Sequence, residues 1–250
     1  MYPRFWFYPW KGGYNQVRSL ADKLDGKLIL RENSRYKYRG GDIVVNWGSS
    51  TRPPVLEGIQ VLNEFDKVGH GKRENFVQLM MGGIQVPQFT DNMEVANAWL
   101  ENGKVLGRDR DHGMGGTGIT VYKKGEQVNP HKFYVKYVKK EREFRYHVFN
   151  SKIIFIQEKL RKKGIKNVDK YIRSHGRGWC FAHKHLVDNP PPIFGQEVAI
   201  NSVALLYLHF GAVDVGWSNE HGFTVFEVNT APGIENTSLD AYVNAFNTLK

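Results

Sequence analysis

Apolar residues recur along the chain with two different spacings, and the change from one to the other predicts where strands give way to helices. Residues 4–10 read as a strand, and the next segment repeats apolar residues at helical spacing, at Val17, Leu20 and Leu24. Two further strands are predicted in the segment "KLILRE" and in residues 42–48. Residues 1–60 are therefore predicted to form a small α/β domain.

The pattern after Pro53-Pro54 predicts a longer α+β body. Residues 61–83 are largely helical in pattern, a short strand follows in "QVPQFT", and Asp91 is expected to cap the helix "NMEVANAWLENG". Five strands are then predicted in "KVLGRD", "GITVYKK", "KFYVKYV", "EFRYHVFN" and "KIIFIQEKLR". A polar, basic excursion over residues 162–192 separates them from the helix "GQEVAINSVALLYLHFG" and a closing pair of strands.

The closing pair of strands is predicted to be a hairpin, because the turn residues "SNEHG" separate two strand-like segments, "AVDVGW" and "FTVFEVN". A turn centred between Glu220 and His221 sets the register. It places Asp214 opposite Glu227, with Asn229 on the same face as Glu227. The same register predicts Trp217 opposite Thr224, and a core face made of Val213, Val215, Phe226 and Val228.

Two carboxylates that face each other across a sheet repel unless a positive charge lies between them. Carboxylates and an amide carbonyl are hard oxygen ligands, too few for a closed calcium site but suited to a magnesium ion that keeps water and phosphate oxygens as its other ligands. Asp214, Glu227 and Asn229 are therefore predicted to bind magnesium. Two alternatives remain open here: a register slipped by one residue, and an acid pair that acts directly on a glycosidic bond.

A glycine-rich loop lies between two of the predicted strands. Gly113, Gly115 and Gly118 have the spacing of a dinucleotide fingerprint, but β-branched and aromatic residues rather than a helix follow Gly118. Strand, glycine loop and strand instead predict a flap whose backbone N–H groups close over phosphates. A plain flexible hairpin is the alternative.

Basic side chains on the strands after this loop predict a phosphate-binding cleft. Lys136, Arg145 and Lys159 lie on apolar-rich strands, where Arg145 can fork onto a γ-phosphate and Lys159 can act as a point charge. The alternative for each is a solvated surface cation.

Composition narrows the class of protein. The net charge of +10 favours an anionic partner, whether a nucleotide, a nucleic acid or an acidic peptide. The single cysteine excludes an internal disulfide framework, and the absence of a membrane-spanning run or a secretory signal leads us to expect a cytoplasmic location. A zinc site can be drawn through His175, Cys180, His183 and His185, although their spacing is not that of the usual zinc motifs.

The order of these parts resembles the ATP-grasp superfamily, and within it the ribosomal-modification-type glutamate ligases and similar proteins of tailed bacteriophages. The resemblance covers about residues 63–246 and rests on "QVPQF", "VLGRDRDHGMGGTGI", "FYVKYVKKEREFRYHVFN", "HFGAVDVGW" and "FEVNTAPGIENTS". It implies an α+β ATP-grasp fold, in which two lobes clasp ATP, preceded by a small α/β domain of the pre-ATP-grasp type. The implied boundaries are residues 1–60 for that domain, 61–137 for the first lobe with the glycine loop, and 138–250 for the second lobe with the metal site.

The resemblance also implies the residues of an ATP site. The loop over the β- and γ-phosphates would comprise Gly113, Gly115, Gly116, Thr117 and Gly118. Further nucleotide contacts are implied for Lys72, for Arg108 at the α-phosphate, for Glu143 at the ribose, and for the backbone of Lys136, Tyr137 and Val138 at the adenine. Arg145 and Lys159 would be catalytic, at the γ-phosphate and then at the acyl phosphate. One or two magnesium ions, or manganese, would be held by Asp214, Glu227 and Asn229.

An ATP-dependent carboxylate-amine ligase is the function that the resemblance implies. Its substrates would be a small-molecule or peptide carboxylate and an amine, joined through an acyl phosphate with release of ADP and phosphate. Two other functions remain open: a kinase on the same fold, and a non-catalytic nucleic-acid-binding protein that uses the basic surface. For a phage protein the cytoplasm would be that of the host.

Overall fold

The computed structural model describes residues 3–113 and 115–250, so that Met114 of the predicted glycine loop lies outside the described residues. The first element is a three-stranded parallel sheet in the order β2-β1-β3, formed by β1 (Phe5–Pro9), β2 (Lys27–Leu28) and β3 (Ile43–Trp47). Helix α1 (Tyr14–Lys23) buries Val17, Leu20 and Ala21 and packs on β1 and β2. The predicted strand, helix and strand opening is confirmed, although β2 is shorter than predicted.

Residues 61–83, predicted to be largely helical, contain two helices. Helix α2 (Phe65–Val68) ends at Gly69, and α3 (Lys72–Met81) begins after Gly71. The Glu74 carboxylate accepts a hydrogen bond of 2.7 Å from the Gly71 N–H, which satisfies one of the free amides at the start of α3. Lys72 is therefore the first residue of α3.

A four-stranded antiparallel sheet follows, in the order β4-β7-β5-β6. Its strands are β4 (Phe89–Thr90), β5 (Val105–Arg108), β6 (Ile119–Tyr122) and β7 (Phe133–Lys136), and α4 (Met93–Leu100) packs on it. The cap predicted for α4 is wrong: Asn92, not Asp91, is the N-cap. The Asn92 side-chain oxygen accepts the N–H groups of Glu94 at 2.7 Å and Val95 at 3.2 Å, and an N-cap side chain bonds the amides two and three residues after it.

A five-stranded antiparallel sheet in the order β10-β9-β8-β11-β12 forms the largest layer. Its strands are β8 (Arg142–Phe149), β9 (Lys152–Arg161), β10 (Trp179–Ala182), β11 (Phe210–Ser218) and β12 (Gly222–Asn229). Helix α5 (Phe194–Leu205) covers one face, where it packs on Phe144, Tyr146 and Val148 of β8. Since neighbouring residues of a strand point to opposite faces, Glu143, Arg145 and His147 lie on the other face.

The β11–β12 hairpin has one irregularity that the sequence did not predict. Asp214 lies opposite Glu227, as predicted, but the register shifts at the next pair, where Val215 lies opposite Val225 and Trp217 lies opposite Phe223. The predicted pairing of Trp217 with Thr224 is therefore wrong, because Phe226 is an extra residue in a β-bulge. The bulge buries Val225 in the core, whereas Phe226, predicted to face the core, lines a cavity on the opposite face of the sheet.

The C-terminal helix α6 (Thr237–Asn247) was not predicted, and it helps to join the beginning of the chain to its end. The Phe246 ring contacts the rings of Phe5 and Phe7 at 5.6 and 5.5 Å and those of Phe149 and Phe210 at 4.8 and 5.9 Å between centroids. One hydrophobic cluster therefore includes β1, β8, β11 and α6. None of the described helices is both long enough and apolar enough to cross a bilayer.

Candidate functional site

A cavity of about 640 Å³ lies between the four-stranded and five-stranded sheets. Its walls include all sixteen residues predicted as site residues. These are Lys72, Arg108, Gly113, Gly115, Gly116, Thr117, Gly118, Lys136, Tyr137, Val138, Glu143, Arg145, Lys159, Asp214, Glu227 and Asn229. The fold thus brings together residues that are up to 157 positions apart, counted from Lys72 to Asn229.

The charged side chains of the cavity are mostly cationic. Among the described residues, eight lysine and arginine residues line it, and three carboxylates oppose them. The cations are Lys72, Arg108, Arg110, Lys136, Lys140, Arg145, Lys159 and Arg173; the acids are Glu143, Asp214 and Glu227. A cavity with this excess of positive charge attracts a polyanion.

Asp214 is held by two cations in the cavity. Arg145 donates two hydrogen bonds to it, from Nε to Oδ1 at 2.6 Å and from Nη2 to Oδ2 at 2.9 Å. The Lys159 Nζ lies 3.6 Å from Oδ2. Burial alone would raise the pKa of Asp214, but the charges of Arg145 and Lys159 outweigh burial and hold this pKa far below its usual value. Asp214 is therefore ionised.

Glu143 lies at the centre of a second group of charges. The Lys159 Nζ donates to Oε1 at 2.5 Å, while the Lys140 Nζ and the Arg173 Nε lie 3.3 and 3.7 Å from Oε2. Burial acts to raise the pKa of Glu143, but the charges of Lys140 and Lys159 lower it below the usual value. Lys159 thus links Glu143 to Asp214.

Glu227, which faces Asp214 across the hairpin, is paired with Lys72. The Lys72 Nζ lies 3.1 Å from the Glu227 Oε1 and donates to the Phe226 carbonyl oxygen at 3.1 Å. Burial lowers the pKa of Lys72, although the charge of Glu227 opposes this effect. The positive charge that the opposed acids require is therefore supplied by protein cations in this structure.

The oxygen atoms of this hairpin fit a magnesium ion. Asp214, Glu227 and Asn229 offer two carboxylates and one amide oxygen on the cavity face, which is the donor set of a hard cation that shares its remaining positions with water or phosphate. The Arg108 Nε is buried and lacks a hydrogen-bond partner among the described residues, so the cavity retains an unused polar group.

The structure bears on two alternatives that the sequence left open. Within residues 3–113 and 115–250, no group of three His, Cys, Asp or Glu side chains is placed to hold a metal, which contradicts a zinc site at His175, Cys180, His183 and His185. The proton donor of a glycosidase requires a raised pKa, so the lowered pKa of Asp214 argues against Asp214 in that role.

The glycine loop connects β5 to β6, and its glycines form one wall of the cavity. Gly115, Gly116 and Gly118 have φ angles of +63°, +79° and +69°, which residues with a Cβ rarely adopt. An alanine Cβ at Gly116 would lie 2.4 Å from the Cγ2 atom of Ile172. Glycine therefore allows the loop to lie directly against the excursion of residues 162–192.

That excursion supplies cavity residues that the sequence did not predict. Tyr171, Ile172, Arg173 and Ser174 line the cavity, and the Arg173 Nη2 donates to the Lys140 carbonyl oxygen at 3.0 Å. The Arg173 Nε and the Ser174 Oγ are buried without a hydrogen-bond partner among the described residues. The only sequence signal was their position in a polar segment without periodicity, which indicates neither strand nor cavity.

The whole chain superposes on solved structures of ligases at low sequence identity. An ATP-grasp ligase, PsnB, complexed with minimal precursor, Mg and ADP, has a TM-score of 0.69 and 10% identity over 98% of this chain and 97% of that one. The D-alanine–D-alanine ligase of Bacillus anthracis has a TM-score of 0.66 and 14% identity over 99% and 96%. The chain has the ATP-grasp fold.

The ATP-grasp fold predicted from the resemblance is thus confirmed. The macrocyclase MdnC of Microcystis aeruginosa MRC, bound with precursor peptide MdnA, gives a TM-score of 0.63 and 11% identity over 98% of this chain and 99% of that one. No protein-family model matches the sequence, and no curated protein matches it significantly. The resemblance to phage proteins and the cytoplasmic location stay predictions.

Proposed function

We propose that the protein is an ATP-dependent carboxylate-amine ligase that acts through an acyl phosphate. The observation that carries this proposal is the cavity of the ATP-grasp fold, where eight cations surround a hairpin with three oxygen donors. The solved structures that share the fold include a D-alanine–D-alanine ligase and a ligase complexed with Mg and ADP, which supports the same class of chemistry. The proposed substrates are a small-molecule or peptide carboxylate and an amine.

Each part of the cavity has a role in this proposal. The backbone of Lys136, Tyr137 and Val138 binds the adenine, and Glu143 binds the ribose. Lys72, Arg108 and the N–H groups of the glycine loop bind the phosphates. These assignments divide the ATP-grasp fold into lobes of residues 61–137 and 138–250, preceded by the α/β domain of residues 1–60.

The proposed reaction consists of two displacements. A carboxylate oxygen of the substrate bonds to the γ-phosphorus as the bond to the β-phosphate oxygen breaks, which releases ADP and leaves an acyl phosphate. The amine then bonds to the acyl carbon, phosphate leaves, and the nitrogen loses a proton. Arg145 and Lys159 neutralise the charge of the transferred phosphoryl group. Magnesium, held by Asp214, Glu227 and Asn229, would supply further charge neutralisation at the phosphate oxygens.

The test is nucleotide binding by purified protein with ATP and magnesium, followed by ATP turnover after a carboxylate and an amine are added. We expect Glu227→Gln to lower ATP turnover at least about a hundredfold, because it removes the charge of a metal ligand. Glu220→Gln is the matched control, since Glu220 lies in the turn of the same hairpin with a side chain that is 69% exposed. Unchanged turnover in Glu227→Gln, or a wild-type protein that binds no nucleotide, would contradict the proposal.

Product analysis separates this reaction from its alternatives. A ligase releases ADP and free phosphate only when an amine is present, whereas a kinase releases ADP and a phosphorylated hydroxyl compound. Binding to nucleic acid that falls steeply with salt and survives Glu227→Gln would instead support the non-catalytic function.

A further inference from the structure

The described residues of the glycine loop, 109–113 and 115–118, are anchored to the rest of the protein at two aspartates. At its base, the Asp109 N–H donates to the Gly118 carbonyl oxygen at 3.0 Å, and the Asp109 Oδ1 lies 2.5 Å from the His131 Nδ1. The second anchor is Asp111, two residues further into the loop. It differs from the first because it reaches across to a helix that is distant in sequence.

Asp111 joins three elements. Its Oδ2 accepts from the Lys132 Nζ at 2.6 Å, next to the start of β7, and its Oδ1 accepts from the Arg73 Nε at 3.2 Å, in the first turn of α3. Its backbone carbonyl oxygen accepts the Lys72 N–H at 3.3 Å. Its side chain is 12% exposed, and although burial acts to raise its pKa, the hydrogen bond from Lys132 and the charge of Arg73 keep the pKa of Asp111 below its usual value.

The place where Asp111 meets α3 is closely packed. A Cβ on Gly71 would lie 2.9 Å from the Asp111 Cβ, so the loop rests directly on the backbone that begins the helix. The next residue is Lys72, whose side chain reaches across the cavity to Glu227. A shift of the loop relative to α3 would therefore break the contacts of Asp111, and a shift together with α3 would carry Lys72 along.

We propose that Asp111 is a positioning residue that holds the start of the glycine loop against the first turn of α3, so that the loop and Lys72 are placed together for the phosphates of a nucleotide. This inference rests on the proposed ATP site. Asp111 does not line the cavity and so acts only through the loop and Lys72. Its loss should therefore weaken the binding of phosphates and leave the binding of adenine and ribose unchanged.

The experiment compares two ligands, AMPPNP with magnesium and adenosine, in binding to wild type and Asp111→Asn. We expect Asp111→Asn to weaken AMPPNP binding about tenfold, the size of effect given by one lost charge-assisted hydrogen bond, and to leave adenosine binding unchanged. Asp111→Glu, which keeps the charge, should restore most of the affinity. Asp91→Asn is the matched control: Asp91 is 77% exposed and its Oδ2 lies 3.7 Å from the Nη1 of the same Arg73.

Amide hydrogen exchange of Gly115, Gly116, Thr117 and Gly118 gives a second measurement. Bound AMPPNP should slow this exchange in wild type and slow it less in Asp111→Asn. Equal AMPPNP affinity in wild type and variant, or an equal loss for AMPPNP and adenosine, would overturn the inference. If wild type binds no AMPPNP, the proposed function fails instead; hydrogen exchange of the nucleotide-free proteins then decides, since equal rates at residues 115–118 in wild type and Asp111→Asn would show that Asp111 does not hold the loop.

Discussion

His147 is a buried side chain whose environment keeps it neutral. It lies on β8 two residues after Arg145, with its Nδ1 3.3 Å from the Tyr242 hydroxyl and its Nε2 3.1 Å from the Gln157 Oε1. Burial, aided by the charge of Arg145 and opposed by the hydrogen bond to Gln157, lowers the pKa of His147 to about 4. A neutral His147 adds no further positive charge next to Arg145.

We therefore expect His147 to make the protein less stable in mild acid. Below pH 6.5 the histidine of the unfolded chain binds a proton, whereas His147 of the folded protein does not bind one until the pH nears 4. The free energy of unfolding therefore falls by up to about 1.4 kcal/mol per pH unit over that range. His147→Gln should show a smaller fall in urea denaturation between pH 7 and pH 5. His221→Gln, in the exposed hairpin turn, is the control, and an identical pH dependence in wild type and His147→Gln would contradict the expectation. The pKa of His209 is lowered in the same direction, so wild type contains both effects and only the difference belongs to His147.

Among the elements, the glycine loop and the β-bulge set the shape of the cavity. The bulge directs Phe226 into the cavity, where its ring lies 4.3 Å from the Lys140 Nζ, and it leaves Glu227 opposite Asp214. The loop approaches from the other sheet, where Gly116 contacts Ile172. Both features are departures from regular strand geometry, and both lie at the cavity, where local strain is commonly found in functional proteins.

At this scale we expect Gly116→Ala to weaken nucleotide binding. The new Cβ would be strained at a φ angle of +79° and would lie 2.4 Å from the Ile172 Cγ2, so the loop must move away from the excursion. The affinity for AMPPNP with magnesium, measured by calorimetry, should fall about tenfold or more, a loss similar to that of a hydrogen bond to a charged group. Gly125→Ala is the matched control, because it has the same backbone strain at φ +87° with nothing described within 4 Å, and its affinity should equal that of wild type. Equal affinities in the two variants would show that the contact with Ile172 is unimportant.

In the whole molecule, the first sheet and the five-stranded sheet share one core. The rings of Phe5 and Phe7 contact Phe246 on one side, and Phe149 and Phe210 contact it on the other. Aromatic pairs in edge-to-face contact add to the free energy of simple burial. The N-terminal region is therefore packed against the region that carries Asp214 and Arg145, and we expect the two to unfold together.

Truncation of Phe246 tests this shared core. Phe246→Ala should lower the free energy of unfolding by about 3 to 5 kcal/mol, because the ring is fully buried and its cavity cannot be filled by neighbouring aromatic side chains. Met81→Ala, at a side chain that is 82% exposed, should cost less than about 0.5 kcal/mol. Circular dichroism of thermal unfolding should show one transition for both variants. A separate early transition in Phe246→Ala would mean that the N-terminal region unfolds on its own.

The amino-acid sequence by itself determined the order of the strands and helices, apart from β10 and α6, and the pairing of Asp214 with Glu227. These follow from local rules, because side-chain alternation and turn residues act over a few positions. Helix α6 could have been found in the same way, since Leu239, Tyr242, Val243 and Phe246 recur at helical spacing. The cap of α4 was missed by one residue, since Asp and Asn are equally good N-caps and both stand at that point.

Only the tertiary structure decided which cations neutralise which acids. Lys72 binds the carbonyl oxygen of a residue 154 positions away, and Arg145 binds an acid 69 positions away. The excursion of residues 162–192 has no periodicity to indicate that Arg173 and Ser174 enter the cavity, and the β-bulge depends on how β12 packs against its neighbours. Such contacts depend on the burial of charge and on close packing between distant segments, and these are properties of the folded chain rather than of any local pattern.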